Sequence, residues 1–168
     1  MLVAVLVASL CLVPPVNAPV VEAFDAPACP YCAGHRTIDY ASGAGQPVVA
    51  PIAGRIAFAG EVAGRRYVSI RSGEHTVTVG GLGPLAVAAG AIVAAGQVVG
   101  LSRSSGAGAR PAPVTLSLRR DVGESTEHYL DPGPYLAHRV GRARLVPTDG
   151  TRPRRTAART RLVCPAGR

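Results

Sequence analysis

The sequence contains no lysine and no tryptophan, and it has only two phenylalanines and five tyrosines. Without lysine, the chain cannot carry a prosthetic group on a lysine side chain, which excludes carrier-domain functions. With so few aromatic residues, the core has to be built from Val, Ala, Leu and Ile. Apart from a possible short turn near residues 134–138, no segment shows a sustained 3.6-residue apolar period with capping residues. The 168 residues are nevertheless enough for one domain with a real core.

Positive charge is concentrated at the C-terminal end. All 18 basic residues are arginines, and nine of them lie in residues 139–168 together with one acid, Asp149. The other nine arginines are matched by nine acidic residues, so the formal charge of +8 belongs to this tail. Because the tail has few apolar residues, we expect it to be disordered. It lacks the interleaved aromatics and modules of nucleic-acid readers, so anionic surface polymers or lipids are the expected partners, with a solvated, partnerless tail as the alternative.

The first residues, MLVAVLVASLCLVPPVNA, form an apolar run that ends at Pro14 and Pro15. Such a run followed by small residues is typical of a secretory signal peptide, with cleavage expected after Ala18 or Ala23. The run is short for a membrane span, which needs roughly 20 apolar residues. We therefore expect residues 1–23 to be a signal peptide or N-terminal apolar segment of a protein that is secreted or held in the cell envelope. An N-terminal core strand and an uncleaved anchor are the alternatives.

Short β-branched runs separated by glycine-containing turns dominate the chain from Pro47 onward. Residues 66–79 fit a hairpin of two alternating strands around Gly73. Residues 113–120, PVTLSLRR, alternate as a strand with one buried face does. That face would carry Val114, Leu116 and Leu118. The pattern predicts an all-β domain over about residues 34–138.

The motif Cys29-Pro30-Tyr31-Cys32 resembles the active-site dithiol of glutaredoxins. In that family the motif follows a strand and opens a helix, and neither flank here fits. The alternative is a structural disulfide, either between Cys29 and Cys32 or between one of them and Cys164. Removal of a signal peptide carrying Cys11 would leave three cysteines, one of them unpaired or joined to another molecule.

His35 and Asp39, four residues apart, are candidate metal ligands, and their surroundings strengthen this interpretation. The segment GHRTIDYASGAGQPVVAPIAGRI resembles, in order and spacing, the LytM/lysostaphin-type zinc endopeptidases, whose first motif is GHxGxDxA followed by GxPVxAxxxGxV. The later segments VAAGQVVGLS and HYLDPGPYL resemble further motifs of the same family. These enzymes cut peptide cross-links in bacterial cell walls. The resemblance spans residues 24–138 and implies a small, mostly antiparallel β-sheet domain with a groove, a hybrid barrel of the duplicated hybrid motif type. In it, His35 and Asp39 would be the first two zinc ligands.

The sequence departs from the family at three other positions. Alignment on the strand PAPVTLSLRR puts Thr115 at the position of the third zinc ligand and Pro113 at that of an assisting histidine. Gly81 stands where another family histidine closes its strand. A threonine hydroxyl is a poor zinc ligand beside imidazole or carboxylate. The remaining histidines that could supply a third ligand, His75, His128 and His138, are more typical of surface positions.

Two functions follow from the resemblance. The favoured hypothesis is an exported pseudoenzyme that binds peptidoglycan, or a hydrolase acting on it, and has no cofactor. The alternative is an active zinc metalloendopeptidase that uses a replacement ligand.

Overall fold

The computed structural model describes residues 10–29, 32–104, 112–121, 127–140 and 161–165. Within these residues the chain forms twelve β-strands and one short 3-10 helix (Gly133–Tyr135). The strands are β1 (Val20–Glu22), β2 (Ile38–Tyr40), β3 (Pro47–Val49), β4 (Gly54–Val62), β5 (Arg65–Ser72), β6 (His75–Leu85), β7 (Ile92–Val93), β8 (Val98–Ser102), β9 (Val114–Asp121), β10 (Glu127–Leu130), β11 (His138–Val140) and β12 (Arg161–Val163). No helix in this part of the chain is long and apolar enough to cross a bilayer.

Ten of these strands form one sheet in the order β1-β2-β9-β6-β5-β4-β7. Strand β10 pairs with β9, and β3 joins the sheet through β8, which pairs with β6. Every pairing between these strands is antiparallel. The prediction of an all-β, mostly antiparallel domain is therefore confirmed.

Tight turns explain how the longest strands form consecutive hairpins. Strands β4 and β5 are joined by Ala63 and Gly64, which both have positive φ, 48° and 74°. Two such residues match the right-handed twist of the flanking strands. Strands β5 and β6 meet around Gly73, where Ser72 pairs with His75. This is the hairpin that the alternation in residues 66–79 predicts.

The core lies against the central strands β9 and β6. Val114, Leu116 and Leu118 are fully buried, as the alternation of β9 predicts. They pack in one cluster with the buried residues of the neighbouring elements, including Val68, Ile70, Val77, Val79 and Leu82. β-Branched side chains fit this pleated, buried surface well, so the scarcity of aromatics leaves the sheet with a sufficient core.

Residues 10–18, within the segment expected to be a signal peptide or N-terminal apolar segment, pack against this domain. Leu12 is fully buried and Val16 is 4% exposed. The backbone of Leu12 bonds to Tyr135 and Ala137, and Pro15 accepts a bond from Val49. Residues 10–18 therefore fill part of the core, and β1 extends the sheet beside β2.

Residues 161–163 of the Arg-rich tail, which is expected to be disordered, form a strand. Strand β12 pairs with β11, from Val163 opposite His138 to Arg161 opposite Val140. Cys164, just after β12, forms a disulfide with Cys11. The C-terminal strand is thus tied to the N-terminal segment. Residues 141–160 lie outside the described residues, and the anionic partner expected for them stays a prediction.

Tyr40 on β2 is buried although its hydroxyl group forms no hydrogen bond among the described residues. The residue is 3% exposed. Burial raises the pKa of Tyr40 from 10.0 to about 12. Burying an unpaired hydroxyl costs about 1–3 kcal/mol, so we expect Tyr40→Phe to raise the free energy of unfolding by about 1 kcal/mol.

The same substitution should change the response to pH. Tyr40 ionises near pH 10 in the unfolded chain and near pH 12 in the folded protein. The stability that Tyr40 gains from staying neutral in the fold is therefore fully present below pH 10. It is lost, and the free energy of unfolding falls, as the pH rises towards 12. In Tyr40→Phe that part of the loss disappears. Urea unfolding at pH 7 and pH 11 measures both effects. A destabilised Tyr40→Phe at pH 7 would show that the hydroxyl is hydrogen-bonded.

Candidate functional site

One row of residues crosses five neighbouring strands of the sheet. Glu22 pairs with Asp39, and Asp39 pairs with Thr115. Thr115 pairs in turn with Gly80, which pairs with Tyr67. Residues directly opposite one another in paired strands project to the same face. The row therefore brings the Asp39 and Thr115 predicted from the sequence side by side.

His35 reaches this row from the loop before β2. Its backbone forms two hydrogen bonds with Asp25, of 2.8 and 2.9 Å, which hold the loop against the segment that follows β1. A Cβ at Gly34 would lie 2.8 Å from the Cα of Pro27, closer than real Cβ contacts, so glycine is needed for this approach. The side chain of His35 points towards the row, because its ring lies beside the carboxylate of Asp39.

Three ionisable groups meet at this end of the row. The Nε2 of His35 lies 3.2 Å from Asp39 Oδ1, and its Nδ1 lies 3.4 Å from Glu22 Oε1. The three residues each offer a ligand atom, and these atoms lie within 4.8 Å of one another. Asp39 is largely buried, whereas the Glu22 side chain is 60% exposed. Glu22 therefore has room to move.

The hydroxyl of Thr37 joins the same cluster. It donates a hydrogen bond of 2.6 Å to Asp39 Oδ1 and lies 2.9 Å from His35 Nε2. Sequence reasoning singled out neither Thr37 nor Glu22. The two-residue spacing of His35, Thr37 and Asp39 would have placed Thr37 on the same face, but Glu22 is brought there by the pairing of β1 with β2.

The three residues that stand where the family has histidines line one small cavity next to the cluster. The cavity has a volume of about 30 Å³ and is lined by Thr115, Gly81 and Pro113, with Tyr67, Leu82, Arg65, Arg103 and Ala112. Thr115 thus lies beside Asp39 on one side and faces this cavity on the other. The arrangement leaves small or apolar groups where the family resemblance implies histidines.

The remaining histidines lie elsewhere. His75 begins β6 and pairs with Arg120, and His128 on β10 pairs with the same arginine. His138 lies on β11. In the part of the chain that the structure describes, Glu22, His35 and Asp39 form the only group of three potential metal ligands, so none of these histidines adds to it.

The cysteines form two disulfides. Cys29 bonds to Cys32, and Cys11 bonds to Cys164. The expectation of an odd cysteine assumed that Cys11 is removed with a signal peptide, whereas here Cys11 provides the partner of Cys164. The Cys29–Cys32 bridge lies in the loop between β1 and β2 and is not followed by a helix. It therefore lacks the helix N-terminus that activates a redox thiol.

Comparison with known proteins identifies the family of the chain. The model of Peptidase family M23 matches residues 33–131. No curated protein matches the chain by sequence. Helicobacter pylori Csd3 superposes with a TM-score of 0.62 at 21% identity, covering 76% of this chain and 35% of that chain. This chain thus spans about a third of the length of the Csd3 chain.

Two catalytic domains match over nearly their whole length. A variant of the catalytic domain of the prophage-encoded M23 protein EnpA from Enterococcus faecalis gives a TM-score of 0.56 at 25% identity, covering 70% of this chain and 90% of that one. The catalytic domain of the antimicrobial peptidase lysostaphin from Staphylococcus simulans gives 0.57 at 22% identity, with coverages of 71% and 92%. Since the family model covers more than half of its residues, the chain belongs to peptidase family M23.

Proposed function

We propose that the chain is an exported cell-envelope member of family M23 that binds peptidoglycan, or a hydrolase acting on it, without cleaving it. One observation carries this proposal: Thr115 stands directly opposite Asp39, and the cavity beside it is lined by Gly81 and Pro113. A histidine on β9 at residue 115 would face the same space as Asp39. A hydroxyl there leaves the ligand set incomplete.

The zinc implied by the family needs a fuller donor set than His35 and Asp39. A catalytic zinc takes three protein ligands and a water whose pKa it lowers to about 7. Glu22 approaches the Nδ1 of His35, whereas Asp39 approaches Nε2. A carboxylate on the second ring nitrogen orients a ligating histidine rather than binding the metal. In this arrangement Glu22 supports His35 and does not replace the missing ligand.

Two features support an extracytoplasmic location and a wall partner. The chain contains two disulfides, which form and persist in oxidising compartments. The small cavity beside Thr115 is also lined by Tyr67, Arg65 and Arg103. Arginine and tyrosine suit the carboxylates and amides of wall peptides, because they combine apolar area with hydrogen-bond donors.

We expect the purified protein to release no new amino termini from peptidoglycan, with or without added zinc. The physical reason is the lack of a third ligand and of a base positioned to activate water. The assay is zinc-dependent appearance of amino termini in purified cell walls, with lysostaphin as the positive control. His35→Ala should behave like the unmodified protein. Robust release that His35→Ala abolishes would instead establish an active zinc endopeptidase.

Co-sedimentation with the same cell walls tests binding separately. Tyr67→Ala, which opens the cavity, should weaken binding about tenfold, as loss of a central tyrosine contact does. Ile92→Ala on the far edge strand β7, where Ile92 is 66% exposed, is the control and should bind normally. Equal binding by the two variants would exclude the surface around this cavity as the contact surface.

The alternative function, an active zinc endopeptidase, is favoured by one observation. The exposed Glu22 carboxylate lies close enough to His35 and Asp39 that all three ligand atoms fall within 4.8 Å. Rotation of Glu22 could supply a third ligand from β1 instead of β9. In that case Glu22→Gln would abolish the zinc-dependent release, a result that the non-catalytic proposal does not allow.

A further inference from the structure

We propose that the Thr37 hydroxyl takes the place of a metal ion between His35 and Asp39, so that the pair acts as a hydrogen-bonded structural unit. This goes beyond the missing ligand at residue 115, because it identifies a second residue that opposes metal binding. It rests on the proposed function only in treating the unmodified chain as metal-free.

The position of the hydroxyl carries the inference. The two atoms that would share a metal, His35 Nε2 and Asp39 Oδ1, are 3.2 Å apart. Thr37 Oγ1 lies 2.9 Å from the first and 2.6 Å from the second. A zinc ion bonds to such atoms at about 2.0–2.2 Å. A zinc ion bonded to both His35 Nε2 and Asp39 Oδ1, and lying on the same side of them as the Thr37 hydroxyl, would overlap Oγ1. Its distance to Oγ1 would be shorter than any zinc–oxygen bond.

Hydrogen bonding points the same way. The Asp39 carboxylate can only accept, so the single hydroxyl hydrogen of Thr37 goes to Oδ1. Its contact with His35 then requires Nε2–H to donate to Thr37. A nitrogen that carries this hydrogen offers no lone pair to a metal. The chain of donors from His35 through Thr37 to Asp39 is complete without a cation.

The burial of Asp39 explains why this hydrogen-bond network stabilises the fold. Asp39 lies in a strand whose three residues are all buried, and an unpaired buried carboxylate would be costly. Thr37 supplies that carboxylate with a donor where the family motif GHxGxDxA places a glycine, which has no side chain. Thr37 and Thr115 are therefore two separate obstacles, one in the loop before β2 and one on β9.

Zinc affinity of paired variants tests this division. Thr115→His restores a ligand, and Thr37→Ala added to it removes the hydroxyl. Thr37→Ser added to Thr115→His is the matched control, because serine keeps the hydroxyl. Affinity is measured with zinc chloride in competition with a chromogenic chelator. We expect Thr37→Ala/Thr115→His to bind zinc at least tenfold tighter than Thr115→His, and Thr37→Ser/Thr115→His to stay within about twofold of it.

The outcomes separate this inference from the proposed function. Equal affinities of Thr115→His with and without Thr37→Ala would overturn the role of Thr37 and leave the non-catalytic proposal standing. Tight zinc binding by the unmodified chain would contradict both, and cell-wall cleavage would distinguish an enzyme. If the double variants do not fold, single substitutions decide. Thr37→Ala should lower the melting temperature while Thr37→Ser does not, and equal melting temperatures would refute the hydrogen-bonded unit.

Discussion

A chain that begins at residue 24 is expected to lose about 5 kcal/mol or more of unfolding free energy and to be largely unfolded at 37 °C. Leu12 and Val16 are buried at 0% and 4% exposure, and burying each such side chain contributes about 1.5–3 kcal/mol. The deletion also removes Cys11, whose disulfide with Cys164 spans 153 residues, and loss of a native disulfide costs about 2–5 kcal/mol. Total stabilities of about 5–15 kcal/mol leave little margin.

Urea unfolding of the shortened chain and of single variants measures these contributions. Val16→Ala should be clearly destabilising, whereas Val21→Ala, at a residue 51% exposed on β1, should change stability by less than about 0.5 kcal/mol. Cys164→Ser isolates the disulfide. Full stability of the chain lacking residues 1–23 would mean that the segment is removable, as a signal peptide is. Mass spectrometry of the exported protein would then show cleavage near Ala18 or Ala23.

The ambiguity of this segment shows what local sequence cannot decide. An apolar run ending in prolines and small residues suits a signal peptide and a core segment equally well. The features that distinguish them are the bridge between Leu12 and Leu136 and the bond from Cys11 to Cys164. Such contacts join distant parts of the chain, and they leave no period or spacing in the segment itself.

The body of the sheet could be predicted because its determinants are local. Alternation in β9 identifies its buried face, and the turn at Gly73 identifies a hairpin. The order of the strands was not predicted, because it depends on contacts between distant parts of the chain. The composition of the tail could not indicate that Val163 and its neighbours pair with β11.

Some residues of the candidate site could likewise be predicted from local sequence, and others could not. His35 and Asp39 follow from a spaced motif, and the alignment that put Thr115 at the third position agrees with its register opposite Asp39. Glu22 could not be found, because it depends on an irregular pairing of the short strand β1. The two-residue spacing could have placed Thr37 on the same face as His35 and Asp39. That its hydroxyl lies between the two ligand atoms is evident only from the distances.

Substitution of Gly81 is the second change that we expect to lower stability strongly, because the backbone at this residue leaves no room for a side chain. Its φ is +75°, a region that costs other residues about 1–2 kcal/mol. A Cβ there would also lie well inside contact distance of the Pro113 carbonyl oxygen, and overpacking costs a further 1–3 kcal/mol or so. We expect Gly81→Ala to lower the free energy of unfolding by about 3 kcal/mol.

Gly64→Ala is the matched control for this substitution. Gly64 has nearly the same φ, +74°, and no atom lies within 4 Å of its ideal Cβ. Both variants therefore meet the same backbone strain, and only Gly81→Ala meets the Pro113 carbonyl. Urea unfolding of the two should differ by at least about 1 kcal/mol. Equal losses would show that the segment carrying Pro113 yields without cost.

The comparison bears directly on the histidine that the family resemblance places at residue 81. If Gly81→Ala is much worse than Gly64→Ala, the bulkier Gly81→His cannot be accommodated while Pro113 keeps its position. At the neighbouring Gly80, a Cβ would lie 2.6 Å from both Thr115 Oγ1 and a ring carbon of Tyr67, so a side chain there would have to displace these two side chains. Restoring the zinc ligand at residue 115 would then still leave the histidine expected at residue 81 without a place. The backbone around β6 would oppose recovery of catalysis even in a chain that binds zinc tightly.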